Sequence, residues 1–272
     1  MTTPGPTPPR VLITGAAGRI GAYLRDGLAA SDWRLRLLDC RPFDDDREIV
    51  IADVRDSAAL LAAMEDVEAV VHLAGISTEA PFDDLLGPNI EGTWRVFDAA
   101  RRAGVPRVIY GGSNHAIGFT PRSELLRADV PLRPDTYYGV SKAFGEAVAR
   151  FYADRYGLRV ACLRIGSCDD RPRSPRMLWT WLSPADAVRL VEACLRAPNL
   201  DYAVVYGVSA NTRGWWDLGP ARELGYEPRD DAEHFATEVL AAHPPLAADD
   251  PENAWAGGSW TTFSGVQPEG GR

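Results

Sequence analysis

Tyr138 and Lys142 stand four residues apart at the start of a stretch that has the apolar spacing of a helix. Residues at positions i and i+4 share one helical face, so the phenol and the ammonium group point the same way. A nearby cation lowers the pKa of a tyrosine, which lets it take a proton from an alcohol while hydride leaves the same carbon. Lys142 is the only lysine of the chain, and arginine would serve worse there because of its bulk and planar fork. The pair therefore predicts a general-base catalyst.

Ser113 follows the apolar stretch 107–110, and Asn114 and His115 come directly after it. A hydroxyl at the carboxyl end of a strand can hydrogen-bond the reacting oxygen opposite the tyrosine. We therefore expect Ser113 to be catalytic, and Asn114 and His115 to contact other hydroxyls of the substrate. His72 lies in an apolar stretch and is predicted to be a core residue. No histidine has a partner at metal-ligand spacing, so no metal site is predicted.

Three glycines, Gly15, Gly18 and Gly21, follow a short apolar run and open a helical pattern. Glycines there permit a tight turn and a close approach of the backbone to a pyrophosphate, which the helix N-terminus binds. Asp39 ends the next apolar run, where a carboxylate accepts hydrogen bonds from the adenosine ribose and repels a 2′-phosphate. The pattern predicts a dinucleotide site that favours NAD. Arg41 keeps NADP open as an alternative, because an arginine just past the strand could hold the extra phosphate.

Two further loops fit the same cofactor. Asp53 and Val54 follow the third apolar run, where the carboxylate could meet the adenine amine. Leu73, Ala74 and Gly75 follow or end the fourth run, where small residues let a cofactor lie against the backbone. Each loop alone would be an ordinary connection, and together with the glycine turn they support the cofactor site.

Short apolar runs alternate with helical patterns, which indicates a parallel sheet covered by helices on both faces. The predicted fold class is therefore α/β, a doubly wound, mostly parallel Rossmann-type sheet with a small C-terminal substrate-facing lobe. The predicted strands are 11–14, 35–38, 49–52, 69–73, 107–110, 160–164 and 203–206, and the predicted helices are 19–30, 56–65, 88–103, 136–156 and one after Ser183.

The chain is predicted to fold as one domain between two irregular ends. Residues 1–9 are rich in proline and are predicted to be a disordered lead, and residues 244–272 an irregular tail. Residues 10–243 form the predicted domain. Within it, residues 10–166 are the NAD-binding core and residues 167–243 the small substrate lobe.

Composition disfavours several classes of protein. The net charge of −9 disfavours a nucleic-acid partner. No apolar run approaches the roughly 18 residues of a membrane span, and the N-terminus lacks the features of a secretory signal. The four cysteines form no CxxC pair, which fits reduced thiols. We therefore expect a cytoplasmic protein that binds neither nucleic acid nor membrane.

In combination, these motifs resemble the extended short-chain dehydrogenase/reductase family. The resemblance covers about residues 10–166 and includes Asn89 in the run Asn-Ile-Glu-Gly-Thr. It implies NAD as the cofactor, support of the active-site backbone and water network by Asn89, and a contact of Lys142 with the nicotinamide ribose. A homo-oligomer is also expected. The cofactor-binding residues that the match implies are Gly15, Ala17, Gly18, Arg19, Ile20, Gly21, Asp39, Asp53, Val54, Leu73, Ala74, Gly75, Asn89, Tyr138, Lys142 and Ile165.

A second group of motifs resembles the members of this family that oxidise C1 of a hexuronic acid to its lactone with NAD. The matching motifs include Ala74-Gly75-Ile76-Ser77, Ser113-Asn114-His115, Arg164-Ile165-Gly166-Ser167-Cys168 and Arg176-Met177-Leu178. The resemblance implies that a set of polar residues surrounds the sugar acid. These residues are Ser77, Ser113, Asn114, His115, Ser167 and Arg176.

Three arginines, Arg171, Arg173 and Arg176, cluster in an otherwise acidic chain. An anionic substrate needs local positive charge, and a guanidinium group can grip a carboxylate through two parallel hydrogen bonds. Arg176 is followed by apolar residues and is predicted to bind the carboxylate of the substrate. Arg171 and Arg173 fit a solvated loop better.

Two other functions stay open from the sequence. A sugar-nucleotide epimerase or dehydratase on the same scaffold would keep NAD bound and return the hydride, but such enzymes need a larger C-terminal lobe than the 105 residues after Ser167. A dinucleotide-sensing regulator would bind NAD without catalysis. That function predicts loss of the Tyr138–Lys142 pair, which this chain retains.

Overall fold

A seven-stranded parallel sheet forms the centre of the protein in the computed structural model, which describes residues 8–122, 125–244, 246–247 and 249–263. The strands are β1 (Arg10–Thr14), β2 (Arg34–Asp39), β3 (Glu48–Ile51), β4 (Ala69–His72), β5 (Arg107–Ser113), β6 (Arg159–Ile165), β7 (Ser167–Cys168), β8 (Trp181–Leu182) and β9 (Tyr202–Gly207). The sheet order is β3-β2-β1-β4-β5-β6-β9, and β7 pairs separately with β8. The order reverses between β1 and β4, and doubly wound sheets bind ligands at the carboxyl edge of such a switch point. The predicted fold class is confirmed.

Helices cover both faces of this sheet. They are α1 (Arg19–Gly27), α2 (Ser57–Ala63), α3 (Phe82–Leu85), α4 (Gly92–Ala103), α5 (Tyr137–Tyr156), α6 (Met177–Thr180), α7 (Pro184–Arg196), α8 (Gly219–Glu223), α9 (Ala236–Ala242) and α10 (Pro251–Ala254). Side-chain caps begin several of them: Asp56 accepts hydrogen bonds at the start of α2, Thr136 at α5 and Ser183 at α7. None of the described helices is long and apolar enough to span a membrane.

Alternate residues of the strands are buried on opposite faces. Val11 and Ile13 of β1 pack with α1 and α7, whereas Leu12 packs on the other face with α4 and α5. A strand that is buried on both faces is a continuous apolar run in the sequence. The apolar runs therefore predicted the strands of this sheet to within a few residues. The sheet core thus positions the loops at its carboxyl edge.

The segment that the sequence assigned to the substrate lobe contributes to the main sheet. Strand β9 pairs with β6 along six residues, from Tyr202 to Gly207. Helix α7 packs against α1, so closely that a Cβ on Gly27 would overlap Val188. A third apolar cluster, which includes Ile117, Leu178, Trp215 and Trp216, lies outside these layers. The separate part of the lobe is therefore smaller than residues 167–243.

The described residues 249–263, here called the C-terminal segment, fold back onto the loop that follows β5. The segment contains α10 and a 3₁₀ turn at Gly258–Thr262, within the tail predicted to be irregular. Backbone hydrogen bonds join Ala256 N to Thr120 O and Gly257 N to Gly118 O, both at 2.9 Å. These bonds bring the end of the chain to the carboxyl edge of the sheet. The predicted lead, apart from Pro8 and Pro9, lies outside the described residues.

Candidate active site

The glycine turn joins β1 to α1 and leaves a helix N-terminus open. Gly15 has a φ of +73°, and a Cβ there would lie 2.6 Å from the backbone nitrogen of Ala74. A Cβ on Gly21 would lie 2.5 Å from the oxygen of Gly15. Gly18 precedes α1 and no side chain caps the helix, so Arg19 and Ile20 in the first turn present their N–H groups to an anion. The turn therefore fits a pyrophosphate.

Asp39 lies at the end of β2, beside this turn. Its side chain is 6% exposed, and its two oxygens accept hydrogen bonds from the backbone nitrogens of Ala17 (3.0 Å) and Arg41 (2.9 Å). The guanidinium of Arg41 is 66% exposed and lies 3.5 Å from the same carboxylate. The end of β2 thus carries a buried negative charge, which favours NAD, next to a solvent-exposed positive charge, which could hold the 2′-phosphate of NADP.

The other two predicted cofactor loops lie at the same edge of the sheet. Asp53 accepts hydrogen bonds from Arg55 at 2.6 and 2.9 Å, and these bonds lower the pKa of the Asp53 carboxyl. Val54 is buried beneath this pair. The loop after β4 approaches the glycine turn through Ala74 and continues into Gly75, whose φ is +140°. Ile165, at the end of β6, is buried at the same edge.

Tyr138 and Lys142 occupy the first turns of α5, and both side chains are largely buried. Lys142 Nζ donates a hydrogen bond of 2.8 Å to the carbonyl oxygen of Gly111 in β5. The same nitrogen lies 5.6 Å from the centroid of the Tyr138 ring. Ser113, at the end of β5, lies close enough to Tyr138 for its side chain to lower the pKa of the phenol. The structure therefore brings the three predicted catalytic residues together.

The pKa of Tyr138 differs from what its spacing to Lys142 suggests. Burial raises the pKa of Tyr138 to about 12, although the side chain of Ser113 acts in the opposite direction. Burial also lowers the pKa of Lys142 to about 8. Loss of solvent disfavours the charged form of both groups, and in the structure this effect outweighs any lowering of the tyrosine pKa by the neighbouring cation. Tyr138 holds its proton at neutral pH here.

Asn89 ties the loop after β4 to α5. It lies in a π-helical turn at Leu86–Glu91 that precedes α4. Its amide oxygen accepts from Ile76 N at 2.7 Å, and its amide nitrogen donates to Ile76 O (2.9 Å) and Ser141 Oγ (3.0 Å). Ser141 in turn donates to the carbonyl oxygen of Tyr138 at 2.7 Å. Asn89 thus holds the backbone on both sides of the site, and Ser141 is a positioning residue that the sequence reasoning missed.

The predicted substrate residues come from four separate segments. Ser77 is exposed in the loop after β4. Asn114 Nδ2 donates to the carbonyl oxygen of Ala256 at 2.9 Å. His115 stacks on Trp260, with ring centroids 4.0 Å apart, and meets Tyr138 edge-on at 6.0 Å. The C-terminal segment therefore lies next to Tyr138.

Arg176 is held by the same segment. Its guanidinium donates to Glu252 Oε2 at 3.1 Å and to Ala256 O at 2.6 Å, and its side chain is 13% exposed. Burial lowers the pKa of Arg176, whereas Glu252 raises it. Arg171 and Arg173 have exposed side chains that pair with carboxylates on the surface, as the sequence predicted for a solvated loop.

Ser167 precedes Arg176 in the chain and lies in β7. Its hydroxyl is 2.9 Å from Thr180 Oγ1, which donates to the carbonyl oxygen of Arg176 at 3.2 Å. Ser167 is partly exposed, so it retains access to the site while it supports the turn that carries Arg176. Its hydrogen bond to Thr180 links β7 to the end of α6.

Several residues of the site were missed by the sequence reasoning. Glu79 accepts hydrogen bonds from the first N–H groups of α5, Tyr137 N and Tyr138 N, at 3.2 and 2.8 Å. Asp135, Glu252 and Trp260 were missed as well. None of these residues belongs to a local motif. Only Asp135 could have been suspected from the sequence, because it is an acidic residue just before the helix that carries Tyr138.

His72 is a core residue, as predicted. Its ring nitrogens lie 2.8 Å from Thr14 Oγ1 and 3.2 Å from Thr93 Oγ1, and burial lowers its pKa to about 3. Among the residues that the structure describes, no group of histidine, cysteine or carboxylate side chains is arranged to hold a metal ion.

The sequence profile of the NAD dependent epimerase/dehydratase family matches residues 11–168, and the chain belongs to that family. It is similar to the uronate dehydrogenase of Pseudomonas putida, with 45% identity over 92% of this chain and 95% of that protein. It is also similar to the crystal structure of uronate dehydrogenase from Agrobacterium tumefaciens, with 44% identity and a TM-score of 0.88. That match covers 93% of this chain and 97% of the other chain. A mutant of that enzyme has been solved in complex with NAD.

A relative with a different substrate is also similar. The NAD-dependent glucose-6-phosphate dehydrogenase of Haloferax volcanii is 39% identical over 84% of this chain and 96% of that protein. Closely related members of this family thus act on different sugars, and the substrate has to be argued from the residues of the site.

Proposed function

We propose that this protein oxidises the C1 hydroxyl of a hexuronic acid, such as glucuronate or galacturonate, to the aldarolactone with NAD as the acceptor. The observation that carries the proposal is the guanidinium of Arg176, which is 13% exposed and shares the carbonyl oxygen of Ala256 with Asn114, the neighbour of Ser113. A catalytic tyrosine suits oxidation of an alcohol, and a buried arginine suits a substrate that is an anion. The two uronate dehydrogenases named above support the same assignment.

The residues at the carboxyl edge of the sheet fit NAD. The glycine turn would hold the pyrophosphate, Asp39 the adenosine ribose, and Asp53 and Val54 the adenine. Lys142 would hold the nicotinamide ribose. NAD, when bound, accepts the hydride that leaves C1. The full set proposed to contact the cofactor is Gly15, Ala17, Gly18, Arg19, Ile20, Gly21, Asp39, Asp53, Val54, Leu73, Ala74, Gly75, Asn89, Tyr138, Lys142 and Ile165.

Tyr138 is proposed as the general base. It takes the proton of the C1 hydroxyl as the carbon–hydrogen bond breaks, and C1, which is already bonded to the ring oxygen, becomes the carbonyl carbon of the lactone. The Ser113 hydroxyl donates a hydrogen bond to the same oxygen. Lys142 lies 5.6 Å from the tyrosine ring. Its positive charge would favour the phenolate that forms as the proton is transferred, and burial of both groups limits screening by solvent.

The substrate residues would bind the sugar at positions away from C1. Arg176 is proposed to pair with the C6 carboxylate, and Ser77, Asn114, His115 and Ser167 to bind hydroxyl groups. Two donors of this set, Asn114 Nδ2 and Arg176, already share the carbonyl oxygen of Ala256. The shared acceptor fixes both side chains before the substrate arrives, which reduces the entropy lost on binding.

The second candidate function is a sugar-nucleotide epimerase or dehydratase, which the name of the family favours. A substrate panel separates the two functions. The purified protein is mixed with NAD or NADP and with glucuronate, galacturonate, glucose, glucose 6-phosphate or UDP-glucose, and the appearance of reduced cofactor is followed. We expect NAD turnover on the free hexuronates. Turnover on a nucleotide sugar, or on glucose 6-phosphate in preference to hexuronates, would overturn the proposal.

We further propose that the protein is a cytoplasmic homo-oligomer. Support for oligomerisation comes from exposed apolar side chains on the neighbouring helices α4 and α5, which include Trp94, Val140 and Phe151. Burial of such a patch between copies is favourable. Support for the cytoplasm comes from the four cysteines, which are all described and unpaired.

A further inference from the structure

His115 and Asp135 form a close pair beside the catalytic tyrosine. The distance between His115 Nδ1 and Asp135 Oδ2 is 2.7 Å, and the two side chains are 12% and 0% exposed. His115 lies in the 3₁₀ turn after β5, whereas Asp135 lies just before α5. The pair therefore connects the loop that carries the substrate residues to the helix that carries Tyr138.

The fold makes room for the Asp135 carboxylate with glycines. A Cβ on Gly118 or on Gly257 would overlap the carboxylate, and a Cβ on Gly139 would lie 3.0 Å from Oδ1. These glycines belong to the turn after β5, the C-terminal segment and α5, so three separate segments close around one side chain. Thr136 Oγ1 donates to Asp135 Oδ1 at 3.1 Å. The carboxylate is thus held in one orientation with both oxygens engaged.

This contact decides which nitrogen of His115 carries a proton. An ionised carboxylate only accepts hydrogen bonds, so Nδ1 of His115 must be the protonated nitrogen. In the neutral ring the other nitrogen, Nε2, then has a free lone pair. No described residue hydrogen-bonds Nε2 of His115, whereas both ring nitrogens of His72 face threonine hydroxyls in the core. His115 therefore has one acceptor that the protein itself leaves open.

We propose that Asp135 is a positioning residue that holds His115 in the Nδ1–H tautomer, so that Nε2 accepts a hydrogen bond from a hydroxyl group of the sugar substrate. The proposal rests on the proposed function, because it assumes a polyhydroxylated substrate next to Tyr138. Stacking on Trp260 fixes the plane of the ring, and Asp135 fixes its rotation within that plane. Together they would aim Nε2 at one hydroxyl group and so favour one arrangement of hydroxyls on the sugar ring.

The first test is kinetic. In Asp135→Asn, the amide can donate to Nδ1 and so allows the opposite tautomer, in which Nε2 carries the proton and can no longer accept a hydrogen bond from the hydroxyl group. We expect KM for the uronate to rise about tenfold, the usual worth of one well-placed hydrogen bond. The kcat should change less than threefold and the Kd for NAD less than twofold, because Asp135 acts on a hydroxyl remote from the reaction.

A double-mutant cycle shows whether Asp135 acts through His115. In a His115→Gln background, Asp135→Asn should cause no further rise in KM, because the ring that it positions is absent. Full additivity of the two changes would overturn the proposal. The matched control is Asp186→Asn, which removes an equally buried carboxylate from α7, where Asp186 pairs with Arg189. KM for the uronate should stay within twofold of the wild type in this control.

A second measurement does not depend on turnover. The chain has four histidines, so ¹⁵N spectra of the imidazole rings are simple, and His115→Gln identifies the signals of His115. We expect the Nδ1–H form in the wild-type protein and a shift towards Nε2–H in Asp135→Asn. An Nε2–H form in the wild type would overturn the proposal even if uronate is oxidised. The expected tautomer in a protein that fails to oxidise uronate would instead contradict the proposed function.

Discussion

The two halves of the site are built in different ways. The proposed cofactor half uses mainly loops between residues 14 and 75 that follow four neighbouring strands of the sheet. The proposed substrate half joins residues of the β5 loop to Arg176 and to the C-terminal segment, where Ala256 lies 80 residues from Arg176 and 142 residues from Asn114. A cofactor site of the first kind can be recognised from a short motif. A substrate site of the second kind exists only once the chain has folded.

This difference predicts how the two halves respond to change. In the cofactor half, backbone groups held by glycines bind the ligand, so side-chain replacements outside the glycines should shift affinity modestly. In the substrate half, side chains held by one another are proposed to bind the ligand. Loss of one of them should therefore release its neighbours and change the choice of substrate. Three replacements test this contrast, and they begin with the residue that serves both halves.

Replacement of Tyr138 by phenylalanine should have the largest effect. Because the phenol is the proposed base, kcat for uronate oxidation should fall by about 10² to 10⁴. The Kd for NAD, measured by titration, should stay within about twofold, since the ring and its packing are retained. The control is Tyr137→Phe, which alters the exposed neighbouring tyrosine. Near-normal turnover of Tyr138→Phe would remove this residue from the mechanism.

Replacement of Arg176 by alanine tests whether this arginine binds the C6 carboxylate of the substrate. An unpaired bound charge costs about 2–5 kcal/mol, which is roughly 30-fold to several-thousand-fold in kcat/KM. Most of the loss should appear in KM, because the carboxylate is remote from C1 and is held in the ground state as well as the transition state. Arg176→Lys should recover only part of it, since an ammonium group lacks the planar fork.

The comparison of two sugars makes this test specific. Arg176 also holds Glu252 and the carbonyl of Ala256, so its loss will disturb the C-terminal segment for every substrate. The expected result is a much larger loss on glucuronate than on glucose. Arg171→Ala serves as the control, because that arginine is exposed and pairs with Glu238 at the surface. Equal proportional losses on both sugars would mean that Arg176 shapes the loop and does not bind the acid.

Replacement of Asp39 by alanine should have the smallest effect and should remain confined to the cofactor. Loss of the carboxylate removes a ribose acceptor and relieves repulsion of a 2′-phosphate, which should change the NAD/NADP preference by about tenfold, or 1.4 kcal/mol. Asp39 also holds Ala17 N, so both cofactors will lose some affinity and the ratio is the quantity to measure. Asp32→Ala provides a control of equal charge. A wild-type protein that already uses both cofactors equally would contradict this assignment.

The sequence by itself determined the sheet and the glycine turns at its carboxyl edge. Strands buried on both faces are continuous apolar runs, and the conformations of Gly15 and Gly75 are accessible to glycine with little strain, so both features are visible in local residue patterns. The spacing of Tyr138 and Lys142 was equally informative, because a helix converts it directly into a shared face.

Tertiary structure alone decided the charge state of that pair and the composition of the substrate half. The pKa of Tyr138 depends on burial by residues distant in sequence, which a local spacing cannot reveal. The tail was predicted to be irregular from its composition alone, and composition does not show where a segment packs. Trp260 reaches His115 because backbone hydrogen bonds seat Ala256 and Gly257 on the loop after β5. Contacts of this kind join residues that are far apart in sequence, and they form only when long loops close. The local spacing of apolar residues therefore does not predict them.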